Sequence, residues 1–500
     1  MTTLSQVILA LDQSTSATKA ILFDTSGDCL DRESREHQQY YPRPGWVEHD
    51  AAEIWRNVLA TIQTLLLRNS QIADRLVGLS LTNQRETIVV FDRATGEPLH
   101  AAIVWQCRRG DAICAAHAAE GDEPTVHART GLRLDSYFPA SKLQWLLQNH
   151  PTLASRLAIG SALVGTIDTY LIYRLTGGKV FATDHTNASR TLFYDIGTLR
   201  WNEELCDLWG FPINALAEIR ECDAGFGETT LGGILQEPIP ICGVIGDSQA
   251  SLFAHRCYHR GMAKVTFGTG SSVMLSLGSQ LQFSDRGVVT SLAWVLAGVP
   301  TYAFEAIIIS SAATLTWLQT QLGIVHSVQE IEAISATLGD SGGVHFVPAF
   351  SGLGLPYWSA SARAAITGLS AHSGRHHVVC AALESIAYQL YDALEAMQTE
   401  SGVILNSLKA DGGPTTNSLL MQFTADIIER EIAVAAIPDC SAQGAALIGF
   451  LGLGVHSSLS IIGALPHAKA VYQPSMATST AQKLRAEWTH AVRQVLAGVT

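Results

Sequence analysis

The run Val7-Ile8-Leu9-Ala10-Leu11, the polar stretch Asp12-Gln13-Ser14-Thr15-Ser16-Ala17-Thr18 and the return Lys19-Ala20-Ile21-Leu22-Phe23-Asp24 decide the fold of this chain. Apolar runs this short, bounded by turn residues, read as strands, so the segment is strand, polar tip, strand. The same arrangement returns at Ala263-Lys264-Val265-Thr266-Phe267, Gly268-Thr269-Gly270-Ser271-Ser272 and Val273-Met274-Leu275-Ser276-Leu277. Two like hairpins about half a chain apart imply two lobes with related beginnings. Between them, helical and strand-like patterns alternate, as in Ala52 to Leu67 followed by Leu76 to Leu81, which predicts an α/β protein. The boundary is expected just after Gly243-Val244-Ile245-Gly246-Asp247, giving lobes 1–253 and 254–500, with no Pro- or Ser-rich linker to mark it.

Bulk properties agree with two ordered lobes. Five hundred residues exceed one ordinary core, and 47% hydrophobic with 15% charged residues lacks the signature of disorder. A net charge of -13 excludes nonspecific attraction to nucleic acid or anionic lipid and leaves a small-molecule enzyme. Nine cysteines, odd in number and without a C-x-x-C pair, read as reduced and mostly buried thiols, for which the cytoplasm is the expected compartment. Met1 to Gln6 has no basic region ahead of the apolar run, and Asp12 interrupts that run, so no signal peptide is expected. Ala445 to Val455 is too short to cross a bilayer and reads as a buried helix punctuated by glycine. The seventeen histidines show no H-E-x-x-H or Cys/His spacing, so no protein-bound zinc is expected, and any metal should arrive with a nucleotide.

Phosphoryl transfer needs phosphate donors, a carboxylate-held metal, a base near the attacking hydroxyl and a dry site. Either hairpin tip could cradle phosphate on its backbone amides, or be a plain polar turn. Asp411-Gly412-Gly413-Pro414 ends a strand and opens a helix with Leu420, Phe423 and Ile427 on one face; it is a structural loop or a nucleotide platform. No P-loop and no G-x-G-x-x-G element is present, against both common nucleotide folds. Asn83-Gln84-Arg85-Glu86-Thr87 puts a base and an acid at a strand end, either to bind vicinal hydroxyls or as a surface ion pair. Trp105-Gln106-Cys107-Arg108-Arg109 could equally be a basic surface turn with a core tryptophan. Asp247 follows an apolar strand closed by Gly246, and is a general base or a helix N-cap.

Taken in order, these segments resemble the FGGY carbohydrate kinase family over almost the whole chain, closest to its glycerol-phosphorylating members. The resemblance rests on YPRPGWVEHD (41 to 50), NQRET (83 to 87), AIVWQCRR (102 to 109), GTIDTYLIYRLT (165 to 176), TDHTNASRT (183 to 191), VPAFSGLGLPYW (347 to 358), LESIAYQ (383 to 389) and DGGPTTNSLLMQF (411 to 423). It implies two lobes of actin/hexokinase/Hsp70-ATPase type closing over ATP and a polyol, in a homodimer or homotetramer. Asp12 and Asp247 would hold Mg²⁺, and Thr15, Ser16, Ala17 and Lys19 would lie at the phosphates. Thr269 would lie near the γ-phosphate, while Ala312, Thr316, Gly413 and Asn417 would line the nucleotide site. Arg85, Glu86, Tyr137, Asp247 and Ser248 would meet the polyol hydroxyls beside an apolar wall at Trp105, with Asp247 as base.

Several departures qualify that expectation. The related sequences commonly carry glutamine at Ser248 and a bulky aromatic near Ser272, so the pocket here is roomier, which points to a tetritol, pentitol or ketose beside or in place of glycerol. Ser14 replaces a glycine, which would weaken phosphate binding unless its φ is negative. Ala312 and Thr316 replace glycine and glutamine on the nucleotide side. Ile234-Leu235-Gln236-Glu237 replaces the basic loop that binds fructose 1,6-bisphosphate in bacterial members, so no such inhibition is expected. A catalytically silent sugar sensor would keep the fold and lose the base, yet Asp12, Thr15, Asp247 and Thr269 are all present.

Overall fold

A computed structural model of the chain describes residues 6–498, so the reading of Met1 to Ser5 as free of a leader lies outside the described residues. Both hairpins form, as Val7–Gln13 with Ala17–Asp24 and as Met262–Phe267 with Ser271–Gly278. The first belongs to a six-stranded sheet ordered Glu228–Thr229, Ile239–Gly246, Leu76–Asn83, Val7–Gln13, Ala17–Asp24, Cys29–Glu36. The second belongs to a seven-stranded sheet ordered Val289–Leu296, Val299–Ile308, Ser271–Gly278, Met262–Phe267, Ser407–Asp411, Ile432–Ala435, Ala468–Tyr472. In each sheet the hairpin strand that comes first in the chain pairs antiparallel with its partner and parallel with a later strand. The repeat seen in the sequence is therefore a repeat of topology.

Local sequence explains the supporting layers. Asp50 accepts a hydrogen bond from Ala52 N at 2.8 Å and caps Ala51–Arg68, whose Ile54, Val58, Ile62 and Leu65 recur at helical spacing and fill the first lobe's core. Ala445 to Val455 lies in the buried helix Cys440–Gly452, which stops three residues short of the expected end. This helix belongs by sequence to the second lobe but packs on the first sheet and on the helix Asp247–Ala254. Gly444 permits that approach, because a Cβ there would lie 1.9 Å from the Ala250 carbonyl oxygen. Gly444→Ala is expected to destabilise the protein by about 1–3 kcal/mol through overpacking, read as a lower urea midpoint with an unchanged slope.

Two expectations need correction. Pro414 does not open the helix: Gly412 turns the chain at φ +96°, a 3-10 turn spans Gly413–Thr416, and the helix is Ser418–Ile428. Asn417, whose side chain accepts from Leu420 N at 2.9 Å, caps it instead. Asp247 is not an N-cap either, since Gly246 holds that place and Asp247 is the first helical residue. All nine cysteines are free, and only Cys29 is exposed. Among the described residues no helix is long and apolar enough to cross a membrane.

Candidate active site

Three parallel strands, Val7–Gln13, Leu76–Asn83 and Ile239–Gly246, end level, with Gln13 and Gly246 both paired to Asn83. Asp12, the pair Arg85 and Glu86, and Asp247 therefore emerge together at carboxyl ends, where ligands of open α/β sheets bind. Asp247 differs from its neighbours in access. Its side chain is 38% exposed whereas those of Arg85 and Glu86 are 5% and 1% exposed, so the carboxylate is open to solvent over a buried floor.

Arg85 and Glu86 are not a surface ion pair. Their closest charged atoms are 4.0 Å apart, and each has better partners. Arg85 Nε lies 3.1 Å from Asp247 Oδ1, and its Nη2 lies 2.8 Å from Glu305 Oε1. Arg190 joins the rest, donating from Nε to Glu86 Oε1 at 2.6 Å and from Nη1 to Glu305 Oε2 at 2.7 Å. Burial alone would raise the Glu305 carboxyl, but the Arg190 and Arg85 guanidiniums pull it down to about 2. For Glu86 burial wins over the same two guanidiniums and its pKa is raised. Glu86 also holds a left-handed φ of +62°, a strained backbone that the surrounding ion pairs maintain.

Aromatic walls flank this nest. The Trp105 and Tyr137 rings sit 5.3 Å apart, and buried Lys142 donates from Nζ to the Tyr137 carbonyl at 2.6 Å and to the Trp105 carbonyl at 3.3 Å. Burial draws the Lys142 ammonium down to about 7. Trp105 is half-buried and donates from Nε1 to Thr15 Oγ1 at 2.9 Å, linking this wall to the first hairpin tip. The basic turn after it divides: Arg108 is exposed, while Arg109 is buried between the Trp46 and Trp145 rings. Ser248 is half-buried, and its backbone N–H donates to Asp247 Oδ1 at 2.6 Å.

At the first tip, Ser14 has no left-handed φ, so the condition under which serine is tolerated there is met. Its Oγ donates to the Ala17 carbonyl at 2.9 Å and accepts from Ala17 N at 3.2 Å, closing the turn upon itself. Ser16 is left exposed. Asp12 is buried, and its pKa is pushed up to about 7 by that burial, with nearby Asp247 and Asp439 adding to the rise and Lys19 opposing it. Lys19 lies 4.0 Å from Asp12 and 2.9 Å from Asp439, so its stronger partner is on the second lobe.

The second tip and the glycine loop meet in the other lobe. A Cβ on Gly270 would lie 2.6 Å from the Ile308 carbonyl, and one on Gly412 would lie 1.9 Å from the Phe267 carbonyl, so both contacts demand glycine. The Gly268 and Thr269 carbonyls accept from Ala312 N and Ala313 N, both at 3.1 Å, docking the tip on the start of the helix Ala312–Thr320. Thr269, Thr316 and Gly413 are exposed, Ala312 is half-buried and Asn417 is buried as a cap. These five residues thus lie on the second lobe, which also contributes Glu305 to the charged nest formed with Arg85, Glu86, Arg190 and Asp247 of the first.

Glu305, Arg190 and Asp439 are the partners that sequence reasoning did not single out. Glu305 had one usable signal, a lone carboxylate within the apolar strand Val299–Ile308, where an unpaired charge is prohibitive. Arg190 stood inside a quoted motif without a role, and Asp439 had no local signal.

Residues 7–254 match the N-terminal domain of the FGGY family of carbohydrate kinases, and residues 263–453 match its C-terminal domain. The chain is 42% identical over 489 residues to glycerol kinase 1 of Thermotoga maritima, covering 98% of this chain and 99% of that one. It is 43% identical to a glycerol kinase of a Geobacter species over 98% of both chains. Its fold matches the crystal structure of Plasmodium falciparum glycerol kinase with ADP at a TM-score of 0.93 and 34% identity, over 98% of each chain.

Proposed function

We propose, from the premise that this chain belongs to the FGGY family of carbohydrate kinases, that it transfers the γ-phosphoryl group of ATP to a primary hydroxyl of glycerol. The observation that carries this reading is the convergence of Asp12, Arg85, Glu86 and Asp247 at three level strand ends, with Asp247 alone of the four open to solvent. Asp247 then removes the proton of the attacking hydroxyl. The Arg85 guanidinium donates to one polyol oxygen and the Glu86 carboxylate accepts from another, which fixes the attack angle. Trp105 and Tyr137 cover the carbon chain and exclude water that would otherwise take the phosphoryl group. The first lobe, 1–253, holds the polyol; the second, 254–500, holds the nucleotide on Thr269, Ala312, Thr316, Gly413 and Asn417.

Thr15, Ser16 and Ala17 at the first tip receive the phosphates, with Lys19 tethered to Asp439 at their base. Asp12 and Asp247 suit Mg²⁺: they are hard oxygen donors near enough to raise the Asp12 pKa, and the nearest cation to Asp12, Lys19, stands 4.0 Å off. When bound there, the ion neutralises charge on the phosphates.

A longer polyol or ketose is the second reading, favoured by Ser272. Its Oγ is buried without a hydrogen-bond partner, on the sheet face that carries Glu305 and opposite Ile307. A spare hydroxyl of a tetritol or pentitol would satisfy it. Coupled ADP release across glycerol, dihydroxyacetone, erythritol, threitol, xylitol, ribitol and xylulose tests both readings by kcat/KM. Glycerol is expected to lead, and Ser272→Phe to lower kcat/KM for the longer substrates by about 10-fold or more while sparing glycerol. A wild-type preference for a longer substrate would replace glycerol as the assignment, and inactivity on the whole panel would overturn both readings.

A further inference from the structure

The helix Asp247–Ala254 carries Asp247, Ser251 and, at its C-cap, His255 at four-residue intervals, so the three lie along one stripe. Two of them meet a single oxygen on the other lobe. Ser251 Oγ donates to Asp411 Oδ2 at 2.9 Å, and His255 Nε2 lies 3.0 Å from that same oxygen. A carboxylate only accepts, so His255 Nε2 carries the proton. Asp411 is the last residue of the strand Ser407–Asp411 and directly precedes Gly412, which packs so closely on Phe267 that a Cβ there would lie 1.9 Å from its carbonyl oxygen.

The clasp is dry and charged. Asp411 is 4% exposed and His255 2%, and Lys264, 1% exposed, stands on the adjoining strand with its Nζ donating to Thr266 Oγ1 at 3.0 Å. Although burial opposes it, His255 and Lys264 hold the Asp411 carboxyl well below the usual carboxylate range. The helix is fastened at its start as well, where Ser441 Oγ donates to the Asp247 carbonyl at 3.0 Å. A loop and a base that share one rigid helix through buried hydrogen bonds move together or not at all.

We propose that Asp411 is a positioning residue that couples the nucleotide loop Gly412–Thr416 to the base Asp247 through Ser251 and His255. It rests on the reading that Asp247 is the base and that the nucleotide lies on this loop. Nucleotide binding fixes the strand end, and the clasp sets the helix so that Asp247 stands in line for proton removal. Cutting the clasp leaves both ligand sites built but no longer in register.

Asp411→Asn, and separately the double variant Ser251→Ala/His255→Gln, would be compared with wild type in kcat, in KM for each substrate and in ADP affinity with and without glycerol. Both are expected to lower kcat by about 10²-fold, the cost of a misplacement near 1 Å. ADP affinity should hold, and its dependence on glycerol should vanish. The double variant leaves Asp411 itself in place, so it serves if Asp411→Asn fails to fold. Unchanged kcat in a folded variant, or a fall in ADP affinity that accounts for the whole loss, would overturn the coupling. If Asp247→Asn kept full activity, the underlying reading would be at fault rather than the clasp.

Discussion

Asp247→Asn is expected to lower kcat for glycerol phosphorylation by about 10²–10⁴-fold, the usual contribution of a positioned general base. The amide keeps the size of the carboxylate and can still accept from Arg85 Nε, now 3.1 Å away, so the floor of the site survives. What is lost is a lone pair basic enough to take a hydroxyl proton. ATP affinity should be largely preserved, because the proposed function places the phosphates at the hairpin tips and the adenosine on the second lobe. Single-turnover ADP formation together with calorimetric ATP binding checks both halves. Loss of ATP binding in parallel with turnover would mean that Asp247 acts through the metal alone, and retained turnover would remove it from the reaction.

Glu305→Ala is expected to destabilise the protein by about 3–5 kcal/mol, because it leaves Arg85 and Arg190 buried and under-compensated. Glu305→Gln should cost less, since its carbonyl oxygen still accepts one guanidinium. The pH dependence has a definite sign. The folded-state pKa of Glu305, about 2, lies below its ordinary 4.5, so the folded state binds this proton less readily than the unfolded one. Its stabilisation is therefore complete above about pH 4.5 and is lost as the pH falls toward 2. The stability gap between wild type and Glu305→Ala should be full at pH 7 and narrow below pH 4.5. Urea unfolding at pH 7, 5 and 3.5 measures it, and a gap that is the same at all three values would dismiss the ionised network as its source. KM for glycerol should rise in the same variant, because Arg85 and Glu86 are oriented through Glu305 and Arg190.

Fold and site were legible in the sequence to different depths. Val7 to Asp24 and Ala263 to Leu277 disclosed the paired hairpins because strand and turn preferences act over a handful of residues. Asp247 and Arg85 were legible for the same reason, each standing just after an apolar strand. Pro414 misled, because proline's fit to a first helical position applies equally to a 3-10 turn, and a side chain three residues on, Asn417, caps the helix. Arg85 and Glu86 read as a pair because they are adjacent, yet neighbours on the chain turned to different partners once buried.

Sequence alone thus determined the paired hairpins and the α/β architecture, and put Asp12, Arg85 and Asp247 at strand ends, since those follow from local pattern; the roles proposed for them toward polyol and phosphate rest on the family resemblance. Only the tertiary structure decided which charges neutralise which. Arg85 finds Glu305 across 220 residues, Arg190 finds the same carboxylate across 115, and Lys19 finds Asp439 across 420. The reason is physical: a buried charge is priced by desolvation and by the few ångströms to its counter-charge, and neither has any period along the chain.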